Sequence, residues 1–391
     1  MKVVIAIDSF KGCCTTLEAA NAVERGIRYY RDDIKTKILP IADGGEGTVE
    51  TLVKSLNGKY VEVDVLNPLG KKIKSKYGIL PGKIAVIEMA AASGLPLISE
   101  EDYNPLITTT YGTGQLIRDA LDKGCKAIFI GLGGSATNDG GVGMAQALGV
   151  SFKNKVNQEV GFGGGELKGI EFIDISKLDP RIDNTEIVIL SDVTNPLCGK
   201  NGAANVYGPQ KGATPKMIQI LDDNLQYFGS VINKQLSIDV MNLSGGGAAG
   251  GLGAGLVAFC QAKIHSGVEK VIELIGLEEH LLDADLLITG EGRIDAQTIN
   301  GKVALGVARK AKKYGVPVIA IVGSIGEGAD IVYSHGIDAI VDIVSEPMSL
   351  EKALEVGISL LEKTSERTMR IWDASVKHRN VKSATGILID C

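Results

Sequence analysis

Carboxylates recur where apolar, strand-like runs of this chain give way to glycine-bearing loops. Asp8 closes M-K-V-V-I-A-I-D, and Asp43 stands in A-D-G-G-E-G-T. Asp192 follows I-V-I-L-S, and Glu291 and Asp295 share T-G-E-G-R-I-D. An ionised carboxylate is costly to bury unpaired, so any one of these reads as a cap, an ion-pair partner or a site residue. As a set in glycine-rich surroundings they point to a common site. Cations are spaced to match: Lys11 three residues after Asp8, Arg293 between Glu291 and Asp295, and Lys302 and Lys211 in or beside glycine turns. The bidentate guanidinium and the point-charge ammonium suit a substrate carrying a carboxylate or a phosphate. The competing local reading pairs Arg293 with Asp295 or Glu291.

A second chemistry-bearing stretch is K-A-I-F-I-G-L-G-G-S-A-T-N-D-G-G-V-G, residues 126–143. Ala127 to Ile130 has the length and β-branched content of a buried strand. The residues after it form a strand-to-helix loop, with glycines for close backbone approach and Ser, Thr, Asn and Asp for bonding and capping. Backbone N–H groups there, with a helix N-terminus, make an anion site. The spacing is not the G-x-G-x-x-G of a dinucleotide fold. No G-x-x-x-x-G-K-[ST] occurs, and no H-R-D or D-F-G set. Any nucleotide must therefore be held by glycine-rich backbone and by Mg²⁺ on carboxylates.

The elements that would position these loops fall into two rhythms. At the N-terminus a strand over Lys2–Asp8 leads to a helix from about Leu17, with Thr16 as its N-cap. A strand over Ile34–Pro40 and a helix over Thr48–Leu56 follow. Short alternating strands (Tyr60–Val65, Lys72–Ile79, Lys83–Glu88) then read as antiparallel ribbon. Residues Phe152–Asp183 read as irregular, and Glu186–Leu190 as a strand ending at Asp192. From Asp283 the strand–helix alternation resumes through Ala284–Ile288, Val318–Val322 and Ala339–Ile343, and helices over Leu350–Lys363 and Glu366–Val376 close the chain. The economical fold is α/β. Both termini (1–57 and 283–391) form a Rossmann-like or flavodoxin-like parallel-sheet domain, and a second, mixed α/β domain (58–282) is inserted. Ligands in such sheets sit beyond the carboxyl ends of the strands, which gathers Asp8, Lys11, Asp43, Glu291 and Gly323 around a crevice expected to face the insert.

Composition narrows the class. A chain of 391 residues with 45% hydrophobic and 23% charged residues is that of a globular protein of two domains. Its 50 glycines gather at strand ends without period or low complexity, as in an enzyme with many ligand-facing loops. A net charge of −6 argues against nucleic-acid binding. The six cysteines and four histidines are scattered without metal-ligand spacing, so neither a zinc site nor a disulfide framework is expected. The N-terminal apolar run is too short for a signal peptide and no window approaches a membrane span; a cytoplasmic protein without a membrane partner is expected.

Several of these loops resemble the signatures of bacterial glycerate kinases. They are D-S-F-K-G (Asp8–Gly12), A-D-G-G-E-G-T (Ala42–Thr48), G-L-G-G-S-A-T-N-D-G-G-V-G (Gly131–Gly143), D-V-T-N-P-L (Asp192–Leu197), Y-G-P-Q-K-G-A (Tyr207–Ala213) and T-G-E-G-R-I-D-A-Q-T (Thr289–Thr298). The resemblance runs in order from about residue 1 to 375. Cys13 stands where the family carries serine, Thr194 departs from the D-N-P-L context, and the tail after Val376 lies outside it. The resemblance implies ATP-dependent phosphorylation of D-glycerate to 2-phosphoglycerate with Mg²⁺, in a Rossmann-like domain with an inserted α/β domain. 3-Phosphoglycerate is the alternative product.

On that reading D-glycerate and ATP meet in a cleft between the domains. Asp192 is expected to accept the attacking hydroxyl's proton, with Asn195 orienting it. Lys11 and Arg293 hold the substrate carboxylate or the transferring phosphoryl. Asp8, Ser9, Asn195, Glu291, Gln297 and Thr298 line the substrate site. Gly133, Gly134, Ser135, Asn138 and Gly140 cradle the ATP phosphates, and Asp43, Asp139 or Asp295 holds Mg²⁺. Two rivals are a dinucleotide-dependent hydroxy-acid oxidoreductase and a sugar-acid sensor. The missing dinucleotide fingerprint and the lack of a loop histidine weigh against the first, and the strand-end acids against the second. Monomer and homo-oligomer both stay open.

Overall fold

Runs rich in Val, Ile and Leu become the strands of two sheets. In the computed structural model, residues 1–42, 44–299 and 303–385 are described, without the side chains of 297, 299 and 375–385. In chain order the strands are β1 (Lys2–Ile5), β2 (Lys35–Ile38), β3 (Lys59–Leu66), β4 (Lys72–Leu80), β5 (Ile84–Glu88), β6 (Ala127–Gly131), β7 (Ser151–Lys153), β8 (Phe172–Asp174), β9 (Glu186–Leu190), β10 (Lys263–His265), β11 (Leu286–Glu291), β12 (Val318–Val322) and β13 (Ala339–Asp342). The chain divides into two compact units, Met1–Ala42 with Ile272–Cys391, and Asp43–Val271.

The unit made of both termini holds a sheet of order β13-β12-β11-β1-β2, parallel throughout. Counted within the unit this is 2-1-3-4-5, the flavodoxin-like order, with its switch point between β1 and β11. Val3, Val4, Ile5, Leu286, Leu287 and Ile288 are fully buried, as strands covered on both faces must be. The helix Thr16–Tyr30 starts one residue earlier than expected. Thr15 is the cap, because Glu18 stands three residues on and closes a capping box: Thr15 N donates to Glu18 Oε2 (2.9 Å) and Glu18 N to Thr15 Oγ1 (3.3 Å). The two expected C-terminal helices are a single helix, Leu350–Thr385, packed on Thr16–Tyr30. The polar residues between them do not break it. Ser365 and Thr368 return their hydroxyls to the carbonyls of Leu361 and Thr364.

The second unit holds a sheet of order β10-β9-β6-β5-β4-β3, parallel from β10 to β5 and antiparallel from β5 to β3. Phe152, Phe228 and Phe259 meet in its core, with Phe152 centroids 6.0 and 5.4 Å from the other two. The stretch expected to be irregular contains the ribbon β7–β8, and β10 adds a short strand beside β9 where none was foreseen. The unit boundaries differ from the expected ones. The helix Thr48–Ser55 packs on β4 and β5, and its Val49 amide donates to Glu88 Oε1 at 2.8 Å. Residues 44–57 thereby join the inserted unit. At the other end, Lys2 Nζ donates to the His280 carbonyl, and residues 272–282 belong to the terminal unit.

Candidate functional site

In the inserted unit, the carboxyl ends of β6 and β9 open onto a pocket of about 340 Å³. That lies at the small end of ligand cavities. Its wall is formed by Gly44, Gly45, Leu132–Ser135, Leu190–Val193, Tyr207, Gln210, Lys211, Ala248 and Ala249. The loop after β6 is pinned from behind: Leu95 N donates to Gly134 O (3.0 Å) and Ala136 N to Ser93 O (2.9 Å). Gly134 has φ +72°, a left-handed turn that glycine takes without strain. Among the described residues, the Gly133, Gly134 and Ser135 amides donate to no backbone carbonyl, which suits them to an anion.

Lys211 supplies the charge at this loop. Its side chain is only 1% exposed, and Nζ donates to Ser135 Oγ and to Thr137 O, both at 2.7 Å. Burial pushes its pKa down to about 7, and the negative charge of Asp139 pulls the other way. The sequence flagged Lys211 only as a cation beside a glycine turn; the signal for more was the Y-G-P-Q-K-G-A motif. Tyr207 and Gln210 from the same motif, and Ala248 and Ala249 from the later glycine run, were not anticipated at the site.

Three residues of the expected phosphate loop lie elsewhere. Asp139 is buried and accepts from Thr110 N (2.8 Å), Thr110 Oγ1 (2.8 Å), Gly141 N (3.1 Å) and Gly143 N (3.2 Å). Burial raises its pKa, and these donors oppose the rise. Thr110 Oγ1 in turn accepts from Met144 N at 2.9 Å. The start of the helix Val142–Ala147 is therefore closed by protein groups. It is not an open anion site, and Asp139, one of the expected Mg²⁺ ligands, serves here as a capping residue with its oxygens engaged by these donors. Asn138 is fully buried, with neither side-chain polar atom partnered among the described residues, and it is not part of the pocket wall. Gly140 has φ +61° and packs so tightly that a Cβ there would lie 2.9 Å from the Phe228 ring. Both are core positions rather than parts of the cradle.

Asp192, two residues beyond β9, is exposed and lines the pocket. Asn195 does not serve as its orienting partner in the way expected: its Nδ2 donates to Asn201 O (2.8 Å) and its Oδ1 accepts from Tyr207 O–H (2.8 Å). The amide holds the loop and the tyrosine instead.

In the terminal unit the remaining candidates gather at the β1/β11 switch point. Asp8 N donates to Gly290 O (2.9 Å), and Ser9 N to Asp8 Oδ1 (2.6 Å). A Cβ on Gly292 would lie 3.7 Å from Lys11 N, so the loops after the two strands adjoin. Glu291 ends β11 and is buried, whereas Lys11 is exposed. Arg293 pairs locally with Asp295 (Nε–Oδ2, 3.1 Å), the competing reading given above. Thr298 is fully buried and its Oγ1 accepts from Asp295 N (3.1 Å), which closes a turn. Asp43, Lys302 and the Gln297 side chain lie outside the described residues.

Among the described residues no cluster of three or more His, Cys, Asp or Glu side chains could hold a metal ion. Among the described residues the donors form no resident metal cage. A Mg²⁺ ion that arrives on phosphate would need only one or two carboxylates from the protein.

Fold and pocket together define an α/β protein whose inserted unit sets a glycine loop beside a buried lysine. The model of the glycerate kinase family matches residues 3–373. The chain is 52% identical over 364 residues to a glycerate kinase of Halalkalibacterium halodurans, covering 93% of this chain and 96% of that one. It is 50% identical over 354 residues to the glycerate 2-kinase of Escherichia coli K12, covering 90% and 93%. A crystal structure from Salmonella typhimurium LT2, assigned as a glycerate kinase 2, superposes with a TM-score of 0.88 at 47% identity, over 96% of this chain and 99% of that one. The chain belongs to the glycerate kinase family. It is a kinase, a phosphotransferase acting on an alcohol group. None of its described helices is long and apolar enough to cross a membrane.

Proposed function

We propose that this kinase transfers the γ-phosphoryl of ATP, with Mg²⁺, to the 2-hydroxyl of D-glycerate. The observation that carries the reading is the pocket of the inserted unit. There a glycine loop whose amides donate to no backbone carbonyl among the described residues, a buried ammonium and an exposed strand-end carboxylate share one wall in a chain of this family. Phosphoryl transfer asks a protein mainly for positioning and charge neutralisation, and these groups supply both. Gly133, Gly134 and Ser135 hold phosphate oxygens. Asp192 accepts the proton of the attacking hydroxyl. Lys11 and Arg293, with Asp8, Ser9 and Glu291, offer the terminal unit's groups for the substrate carboxylate or the transferring phosphoryl. Mg²⁺ neutralises triphosphate charge when bound, and Asp43 and Asp295 are its candidate protein ligands.

The test is release of ADP from ATP, Mg²⁺ and D-glycerate, coupled to enolase with and without phosphoglycerate mutase. Product consumed at once by enolase supports attack by the 2-hydroxyl. A product that needs mutase first assigns the 3-hydroxyl instead. No ADP above background removes D-glycerate as the substrate.

A further inference from the structure

The buried ammonium of Lys211 constrains the hydroxyl it touches. An ammonium has three N–H donors and no acceptor. Its 2.7 Å bonds to Ser135 Oγ and Thr137 O therefore make both oxygens acceptors. Ser135 Oγ must then point its own hydrogen elsewhere, and Ser135 is part of the pocket wall with Gly133 and Gly134. We propose that Lys211 is a positioning residue that sets the hydrogen-bond polarity of Ser135: as an ammonium it turns the Ser135 O–H to donate to a bound phosphate, and on losing its proton it reverses the pair and withdraws that donor. The neutral amine keeps two donors and gains a lone pair. One donor still holds Thr137 O, while the lone pair accepts the Ser135 proton. The hydroxyl then presents its own lone pairs to the ligand.

The surroundings bring this exchange within ordinary pH. Burial pushes Lys211 down to about 7, against the pull of Asp139 behind the loop. Among the described residues, the other titratable side chains on the pocket wall are Asp192 and Tyr207. Burial raises the Tyr207 phenol, which keeps it protonated, and Asp192 is assigned to the chemical step, so the decisive readout is binding rather than turnover. A bound anion favours the ammonium, so phosphate binding and proton uptake are coupled.

This inference rests on the reading of the pocket as the ATP phosphate site. The test is calorimetric binding of MgATP to the full-length wild type, S135A and K211R between pH 6.5 and 9.5, in buffers of differing ionisation enthalpy. Wild-type affinity is expected to fall roughly tenfold to a hundredfold as pH rises, with net proton uptake on binding above neutrality. Arg stays charged throughout, so K211R keeps the low-pH affinity and flattens the profile. S135A binds more weakly at low pH and shows a shallower profile. A flat wild-type profile without proton uptake, or an S135A profile as steep as the wild type's, overturns the inference and leaves the kinase reading standing. Absence of MgATP binding at every pH, together with no ADP release from D-glycerate, overturns both. Should K211R fail to fold, the wild type and S135A decide the matter.

Discussion

Lys211 and Asp139 lie close enough in the inserted unit to influence each other's charge, and both owe their properties to burial. The ordinary lysine value of 10.5 applies to the unfolded chain, and the folded value lies near 7. Between those values the unfolded state binds more protons, so this residue's contribution to stability rises with pH, by up to about 1.4 kcal/mol per unit. Below pH 7 the cost of burying the ammonium is constant. Chemical denaturation of the wild type and K211M from pH 6 to 10 should therefore give a stability difference that moves steadily in favour of the wild type above pH 7. A difference independent of pH would contradict the assigned shift. Asp192 calls for a different readout, since it is exposed. Replacing it by Asn should leave the melting temperature unchanged and lower kcat by about 10²–10⁴-fold, the range for loss of a general base. Full turnover in D192N would remove it from the chemical step.

At the scale of elements, the loop after β6 is two structures in one. Its first half, Leu132–Ser135, faces the pocket. Its second half turns inward, where Asp139 and Thr110 tie the start of the helix Val142–Ala147 to the residues before the helix Tyr111–Asp122. Removing the Asp139 carboxylate strands several buried donors at once, each costing about 1–3 kcal/mol. D139A is accordingly expected to lose at least about 3 kcal/mol in urea titration. A fully stable D139A whose activity alone responds to Mg²⁺ concentration would restore Asp139 as a metal ligand. In the terminal unit, the Thr15–Glu18 box predicts that T15A costs about 1 kcal/mol, measured in the same way, with little effect on turnover at saturating substrate.

At the scale of the molecule, two sheets carry two sets of strand-end groups. The parallel sheet of the termini has its switch point where Asp8, Ser9, Lys11 and Glu291 lie. The mixed sheet of the insert opens its pocket at β6 and β9. If the terminal set serves the substrate carboxylate, R293A should raise the KM for D-glycerate at least tenfold while the affinity for MgATP changes less than twofold. Steady-state kinetics with each substrate varied in turn measures both. A rise confined to ATP would move Arg293 to the nucleotide. Arg293 is more than half exposed and forms a surface ion pair with Asp295, so the substitution should change stability little.

Much of this architecture was legible in the chain itself. Buried parallel strands read as unbroken apolar runs, and glycine and acidic residues at their ends marked the ligand-facing loops, because backbone approach and charge burial restrict residue type at such places. The order of motifs identified the family for the same reason. What the sequence could not distinguish was which polar residue of a loop faces ligand and which faces the core. Asp139, Asn138 and Gly140 are as polar or as glycine-rich as Gly133, Gly134 and Ser135, and only packing against Thr110, Phe228 and the helix Ala248–Cys260 turns the first group inward. Likewise nothing in Y-G-P-Q-K-G-A says that its lysine is buried. Charge comes with residue type, but the depressed pKa and the donor-only contact with Ser135 arise from desolvation and partners supplied by segments far apart in sequence.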